Sequence, residues 1–156
     1  MGYYESGKTS MRAQDLLDAL NELLEAERAG ARVTFLTAAH APESAKVLIH
    51  AIHHDEARWC DMLVRAIQRL QGTPSQTTGA FCAKAMAIED LPSRLAFLNL
   101  GQQWVIRKVR KLLPGLSDEA LRADLAAMLA SHEANVERLA AQLTAKASHP
   151  AGSLRE

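Results

Sequence analysis

LIHAIHHDEARWCDMLVRAIQRL, residues 48–70, decides how this chain folds. A helix turns by about 100° per residue, and on that wheel Leu48, Ile49, Ile52, Trp59, Leu63, Ile67 and Leu70 share one side. Glu56 falls in the middle of the same stripe. A carboxylate aimed into a core is costly unless it is paired, protonated or bound to a metal ion. The stretch therefore predicts a core-facing helix, and it sends the search for Glu56's partners to the rest of the chain.

Upstream, Ser10 can cap a first helix running to about Ala39, with Leu16, Leu20, Leu23, Leu24, Ala31, Thr34 and Ala38 as its stripe. Glu27 lies inside that stripe. Glu25 shares the opposite face with Asp18 and Glu22 and reads as a solvated acid. Pro42 and Glu43 suit the first turn of the second helix, which stops at Gly72. Residues 73–90 break the pattern with turn chemistry, and Ala80–Ile88 suggests a short helix within them. Asp90 and Ser93, flanking Pro92, start a third long helix that ends at Pro114-Gly115. Its last turns carry Arg107, Lys108, Arg110 and Lys111, placed where cations suit the helix dipole and read as solvated. Ser117 caps a fourth, with Leu121, Leu125, Met128, Leu129, Val136, Leu139 and Leu143 on one face and its end near Lys146. Residues 1–9 read as a disordered lead, 10–146 as one bundle and 147–156 as a polar tail.

The links set the topology. The first and second long helices are joined by a few residues, as are the third and fourth, so each pair forms an antiparallel hairpin. The middle link of roughly 18 residues, at about 3.3 Å each, reaches the length of a bundle. The expectation is an all-α fold: a ferritin-like antiparallel four-helix bundle, two helical hairpins joined by a long crossover that contains a short helix. The alternative is an up-down-up-down bundle with a loose second loop.

Each long helix carries one polar residue in its core stripe: Glu27, Glu56, Gln102 and His132. Each lies near the midpoint of its helix, and in an antiparallel bundle midpoints share one level. Two carboxylates, an amide oxygen and an imidazole make a hard-to-borderline ligand set suited to iron, manganese or zinc. The competing account is a hydrogen-bonded packing cluster, its acids neutralised by Arg28, Arg32 or Arg107. His53, one turn before Glu56, and Glu133, at the edge of the fourth stripe, are second-tier candidates. His40, His50 and His54 read as surface residues, and Asp55 sits at the stripe edge.

The totals restrict the function classes. The chain has 156 residues, 48% of them hydrophobic and 23% charged, with a net charge of zero. That balance gives no reason to expect nucleic acid or an anionic membrane surface. No run reaches the roughly 18 apolar residues of a membrane span, and Met1–Ser10 contains no secretory pattern. Cys60 and Cys82 have no metal-finger spacing, which suits a reduced, cytoplasmic setting, with a single disulfide as the alternative. No Ser-His-Asp order, Cys-His pair or phosphate-cradling glycine loop is visible.

Glu27, Glu56 and His132, with the long crossover, resemble the ferritin-like superfamily, which includes rubrerythrins and di-iron oxygenases. Glu27-Arg28-Ala29-Gly30-Ala31-Arg32 looks like the first-helix ligand segment of rubrerythrins. DEARWC (55–60), TGAF (78–81), KAMAIED (84–90), GQQWVIRK (101–108) and HEAN (132–135) are similar to a family of uncharacterised bacterial ferritin-like proteins, over roughly residues 14–143. The resemblance implies a two-iron pattern of Glu on the first and third helices and Glu-x-x-His on the second and fourth. This chain departs from it. Trp59 replaces a His, and Gln102 a Glu. The fourth helix pairs either Leu129 with His132 or Glu133 with Val136. One metal ion, or a vestigial polar cluster, is expected instead of two irons.

Phe97, Leu100 and Trp104 form a second apolar strip on the third helix, facing away from Gln102. Either the segment 79–89 folds over it or a second copy does, and a homodimer through that face is the expectation. Two functions follow. One is a ferritin-like metal-binding protein, for which metal-dependent oxidoreductase is one activity left open. The other is a non-enzymatic helical interaction module.

Overall fold

The computed structural model describes residues 11–148. Four long helices and one short one account for most of them: α1 (Ala13–Ala38), α2 (Glu43–Arg69), α3 (Phe81–Met86), α4 (Leu91–Leu112) and α5 (Glu119–Ser148), with a 3₁₀ turn at Leu113–Gly115. α1 packs along α2 and α4 along α5, as the short links require. Weaker contacts join α1 to α4 and α2 to α5, and α3 lies on α1 and α4. This is the expected bundle of two hairpins.

Contacts at the ends fix the direction of each helix. The crossover starts beside α1's N-terminal half, where Asn21 Nδ2 donates to the Thr73 carbonyl at 3.2 Å and Asn21 Oδ1 accepts from the Ser75 amide at 2.7 Å. It finishes at α1's other end, where Arg94 Nη1 donates to Thr37 Oγ1 at 3.3 Å. From Asn21 to Thr37 a helix rises about 24 Å, so the link does span the bundle. α4 then runs back along α1 and brings Lys108 onto Glu22. At one end of the α2–α5 pair Arg69 lies 3.6 Å from Asp118, and at the other Gln142 Nε2 donates to the Ser44 carbonyl at 3.5 Å.

Several local expectations change. Glu25 is not a solvated acid. It accepts from Ser75 Oγ at 2.6 Å and Thr77 Oγ1 at 2.8 Å and so pins the crossover to α1, and these hydrogen bonds, chiefly that from Ser75, lower its pKa. The end of α2 is closed by Gln71, which takes the left-handed conformation at φ 63°, while the Gly72 amide donates back to Ile67 at 2.9 Å. Gly72 serves close packing instead, since a Cβ there would meet Leu17 Cδ2 at 2.5 Å. Asp118, not Ser117, caps α5 by accepting from the Leu121 amide at 2.9 Å. Asp90 caps α4 as expected, accepting from the Ser93 amide at 3.0 Å. The cations late in α4 are not all solvated: Lys108 pairs with Glu22, and Arg110 with Glu133 at 2.9 Å. The expected cap at Ser10, the lead at 1–9 and the end of the tail lie outside the described residues.

The core divides into two apolar clusters. One holds Leu20, Leu23, Leu24, Trp59, Leu63, Val105, Leu125 and Met128. The other holds Val33, Ile49, Ile52, Leu95, Leu98 and Leu139. On every long helix a buried polar residue falls between the two sets: Glu27, Glu56, Gln102 and His132. The apolar periodicity continues through these positions, so burial is imposed on them by their neighbours on the same stripe.

Candidate metal centre

Glu27 and His132 meet directly. His132 Nε2 lies 2.7 Å from Glu27 Oε1, with each side chain 1% exposed. The contact is an ion pair only when the ring is protonated at Nε2. At 2.9 Å from His132 Nδ1 stands the Met128 carbonyl. A carbonyl can only accept, so Nδ1 carries the proton and Nε2 is the nitrogen turned toward Glu27. Protonated there, the ring is a cation. Unprotonated, it presents a lone pair. Burial works against the charged ring, but the Glu27 carboxylate outweighs it and raises the His132 pKa.

Glu56 approaches from α2 onto the backbone of α1 at Gly30. A Cβ on Gly30 would lie 1.9 Å from Glu56 Oε2, so the carboxylate occupies the place that any other residue's side chain would fill. Burial, then the charges of Glu27 and Asp55, push the Glu56 pKa well up. Glu27 Oε2, Glu56 Oε2 and both amide atoms of Gln102 are buried without a hydrogen-bond partner.

All four residues line one cavity of about 560 Å³. Its floor is Glu27, Glu56, Gln102 and His132. Its walls include Phe81, Phe97, Leu98 and Val105, and its rim includes Leu100, Trp104 and Arg107. Phe81 and Phe97 stack at 4.9 Å with their planes 12° apart. Gly101 permits this arrangement, because a Cβ there would meet Phe81 Cζ at 2.8 Å. The segment after residue 79 thus covers Phe97, which is half-buried, while Leu100 (61% exposed) and Trp104 (40%) stay open.

The second-tier candidates turn elsewhere. His53 Nδ1 donates to the Ala31 carbonyl at 2.8 Å, and its ring lies 5.7 Å from that of Phe35. Glu133 faces Arg110. His40, His50 and His54 are exposed. Of the arginines that might have neutralised the buried acids, Arg28 binds the Thr77 carbonyl at 3.0 Å, and Arg32 and Arg107 are exposed. Two buried asparagines escaped the sequence reading. Asn135 Nδ2 donates to Asp55 Oδ2 at 3.1 Å, and Asn99 Nδ2 to the Val136 carbonyl at 3.4 Å. Each sits three residues from a cluster member on the same face, a spacing that could have revealed it.

The donors can be tested against the metals that the fold suggests. Two irons do not fit. Trp59 fills its position with an indole whose Nε1 donates to Ser131 Oγ at 3.3 Å. Gln102 brings no charge, and Leu129 no donor. One ion of hard-to-borderline type does suit the chemistry of Glu27, Glu56, Gln102 and His132, whose unpartnered oxygens are acceptors without donors. Among the described residues, however, no three His, Cys, Asp or Glu side chains are grouped so as to hold a metal ion.

The family model described as a domain of unknown function (DUF6306) matches residues 14–142. No curated protein matches the sequence. Among solved structures, the chain is similar to ferritin-like, diiron-carboxylate proteins from Bacillus anthracis str. Ames, with 22% identity, a TM-score of 0.77, and coverage of 84% of this chain and 96% of that one. It is also similar to the bacterioferritin-related protein from Bacteroides fragilis, described as a dodecameric thioferritin, with 17% identity, a TM-score of 0.72, and coverage of 96% and 95%. At these identities the likeness establishes the ferritin-like fold.

Proposed function

The chain belongs to the DUF6306 family of domains of unknown function, and we propose that it is a ferritin-like protein that binds a single metal ion in the bundle core. The observation that carries this reading is the set of buried oxygens of Glu27, Glu56 and Gln102 without hydrogen-bond donors, beside an imidazole whose Nδ1 is fixed by Met128. Glu27 and His132 would hold the ion, with Glu56 and Gln102 as the further donors. Iron, manganese and zinc suit such a set. A bound ion would supply Lewis acidity or, with iron or manganese, one-electron chemistry. The chain's own residues exclude bulk water from the floor, fix the imidazole tautomer and keep an apolar approach open.

Two further parts belong to this reading. Cys60 and Cys82 are free, and among the described residues no helix is long and apolar enough to cross a membrane, which supports a cytoplasmic setting. The open Leu100 and Trp104, beside Phe97, support a homodimer through that face.

The test is thermal unfolding of tag-free protein after EDTA dialysis, with Mn²⁺, Fe²⁺ or Zn²⁺ added back. The reading expects a saturable rise in Tm that disappears in Glu56→Ala and His132→Ala. No shift with any of the three ions sinks it. A second reading, a metal-free polar cluster in a helical interaction module, is favoured by the lack of any three grouped ligating side chains among the described residues.

A further inference from the structure

We propose that the cleft above Glu27 and His132 binds a small apolar molecule carrying one hydroxyl, an alcohol or a phenol. The inference concerns the metal-free cleft and does not rest on the one-ion reading, in which the Gln102 oxygen would be taken by the ion. The cavity of about 560 Å³ lies in the range of small-molecule sites. Its Phe81–Phe97 stack, with Leu98 and Val105, offers apolar walls to a flat or branched body.

The floor selects the head group. Gln102, 3% exposed, has both an unpartnered acceptor and an unpartnered donor. A hydroxyl both donates and accepts, so it can satisfy the two kinds together. An ammonium supplies donors alone and leaves Gln102 Nε2 unpaired. A carboxylate supplies acceptors alone and meets Glu22, Glu25, Glu27 and Glu56 along the lining, with Arg107 as its cation only at the exposed rim. Either charge would also have to be buried against the apolar walls.

The experiment is calorimetric titration of the full chain with phenethyl alcohol, phenethylamine and hydrocinnamate, in EDTA and again with Mn²⁺. Saturable binding of the alcohol at one per chain is expected, with amine and carboxylate at least tenfold weaker. Ala26→Phe, which fills the cleft from α1, should abolish binding. Gln102→Leu should weaken the alcohol by about tenfold and erase its advantage over the amine. Should Ala26→Phe fail to fold, Gln102→Leu carries the test. No saturable binding of the alcohol, or an amine or carboxylate that binds as well, overturns the inference. Alcohol binding in EDTA without any metal response upholds the cleft and removes the metal reading. A metal response without alcohol binding does the reverse.

Discussion

His132 Nε2 stands 2.7 Å from Glu27 Oε1 at a depth where neither side chain meets solvent. Two groups that could each be charged therefore depend on one another, and Glu56 lies nearby with its proton-bound form favoured. Both His132 and Glu56 have folded-state pKa values above their ordinary values of 6.5 and 4.5. A group raised on folding contributes stability that is complete below its unfolded pKa and disappears as pH rises through its folded pKa. The metal-free protein should therefore lose stability as pH climbs from about 4.5, through Glu56 first and His132 above 6.5. Glu25, with a lowered pKa, acts with the opposite sign and only as pH falls below 4.5. Urea midpoints of EDTA-treated protein between pH 5 and 9 check this. Glu56→Gln should flatten the profile, and a stability that instead rises with pH would count against the assignment.

Gly30→Ala gives a second prediction. In a helix interior Ala normally exceeds Gly by roughly 0.5–1 kcal/mol. Here the added methyl would occupy the position of the Glu56 carboxylate. We expect net destabilisation of about 1–3 kcal/mol, the scale of overpacking in a close-packed core. Pairing it with Glu56→Ala should recover most of that loss, because the space is then vacant. Chemical denaturation of the two variants and the wild type supplies the comparison.

Glu27, Glu56, Gln102 and His132 were legible because helical periodicity is local: each falls on a stripe defined by residues three and four away. The topology was legible from link lengths, with the crossover's reach set by chain dimensions. What escaped depends on atoms distant in sequence. Glu25 looked solvated because Ser75 and Thr77 lie some 50 positions further on. The reason for a glycine at position 30 emerges only with Glu56 placed against it. The strip at Phe97 had two possible covers, the segment 79–89 or a second copy, and only the fold shows Phe81 stacked on it, while the cleft beside it had no local signature at all. The N-cap of α5 slipped by one residue because Ser117 and Asp118 offer nearly equivalent cap chemistry, and at the end of α2 Gln71, not Gly72, took the left-handed position against the usual glycine preference.

Cys60 gives a third prediction. Burial, followed by the charges of Glu27 and Glu56, pushes its thiol up to about 12. Reactivity follows the thiolate, so Cys60 should resist iodoacetamide at pH 8 in folded protein and react once the chain is unfolded. Peptide mapping by mass spectrometry after labelling distinguishes it from Cys82. Rapid native labelling of Cys60 would mean that the layer around Glu27 opens more readily than its burial indicates.

The open rim gives a fourth. If copies pair through Phe97, Leu100 and Trp104, then Trp104→Asp should shift the protein toward monomer while leaving its helical circular dichroism intact. Size-exclusion chromatography with light scattering reads the mass directly. A wild-type species at the chain's own 17.0 kDa over a wide concentration range would remove the dimer.

Elemental analysis of tag-free protein purified without chelator tests the one-ion centre most directly. The account predicts about one equivalent of iron, manganese or zinc per chain in the wild type and close to none in His132→Ala. Two equivalents per wild-type chain, or a metal content unaffected by His132→Ala, would contradict it.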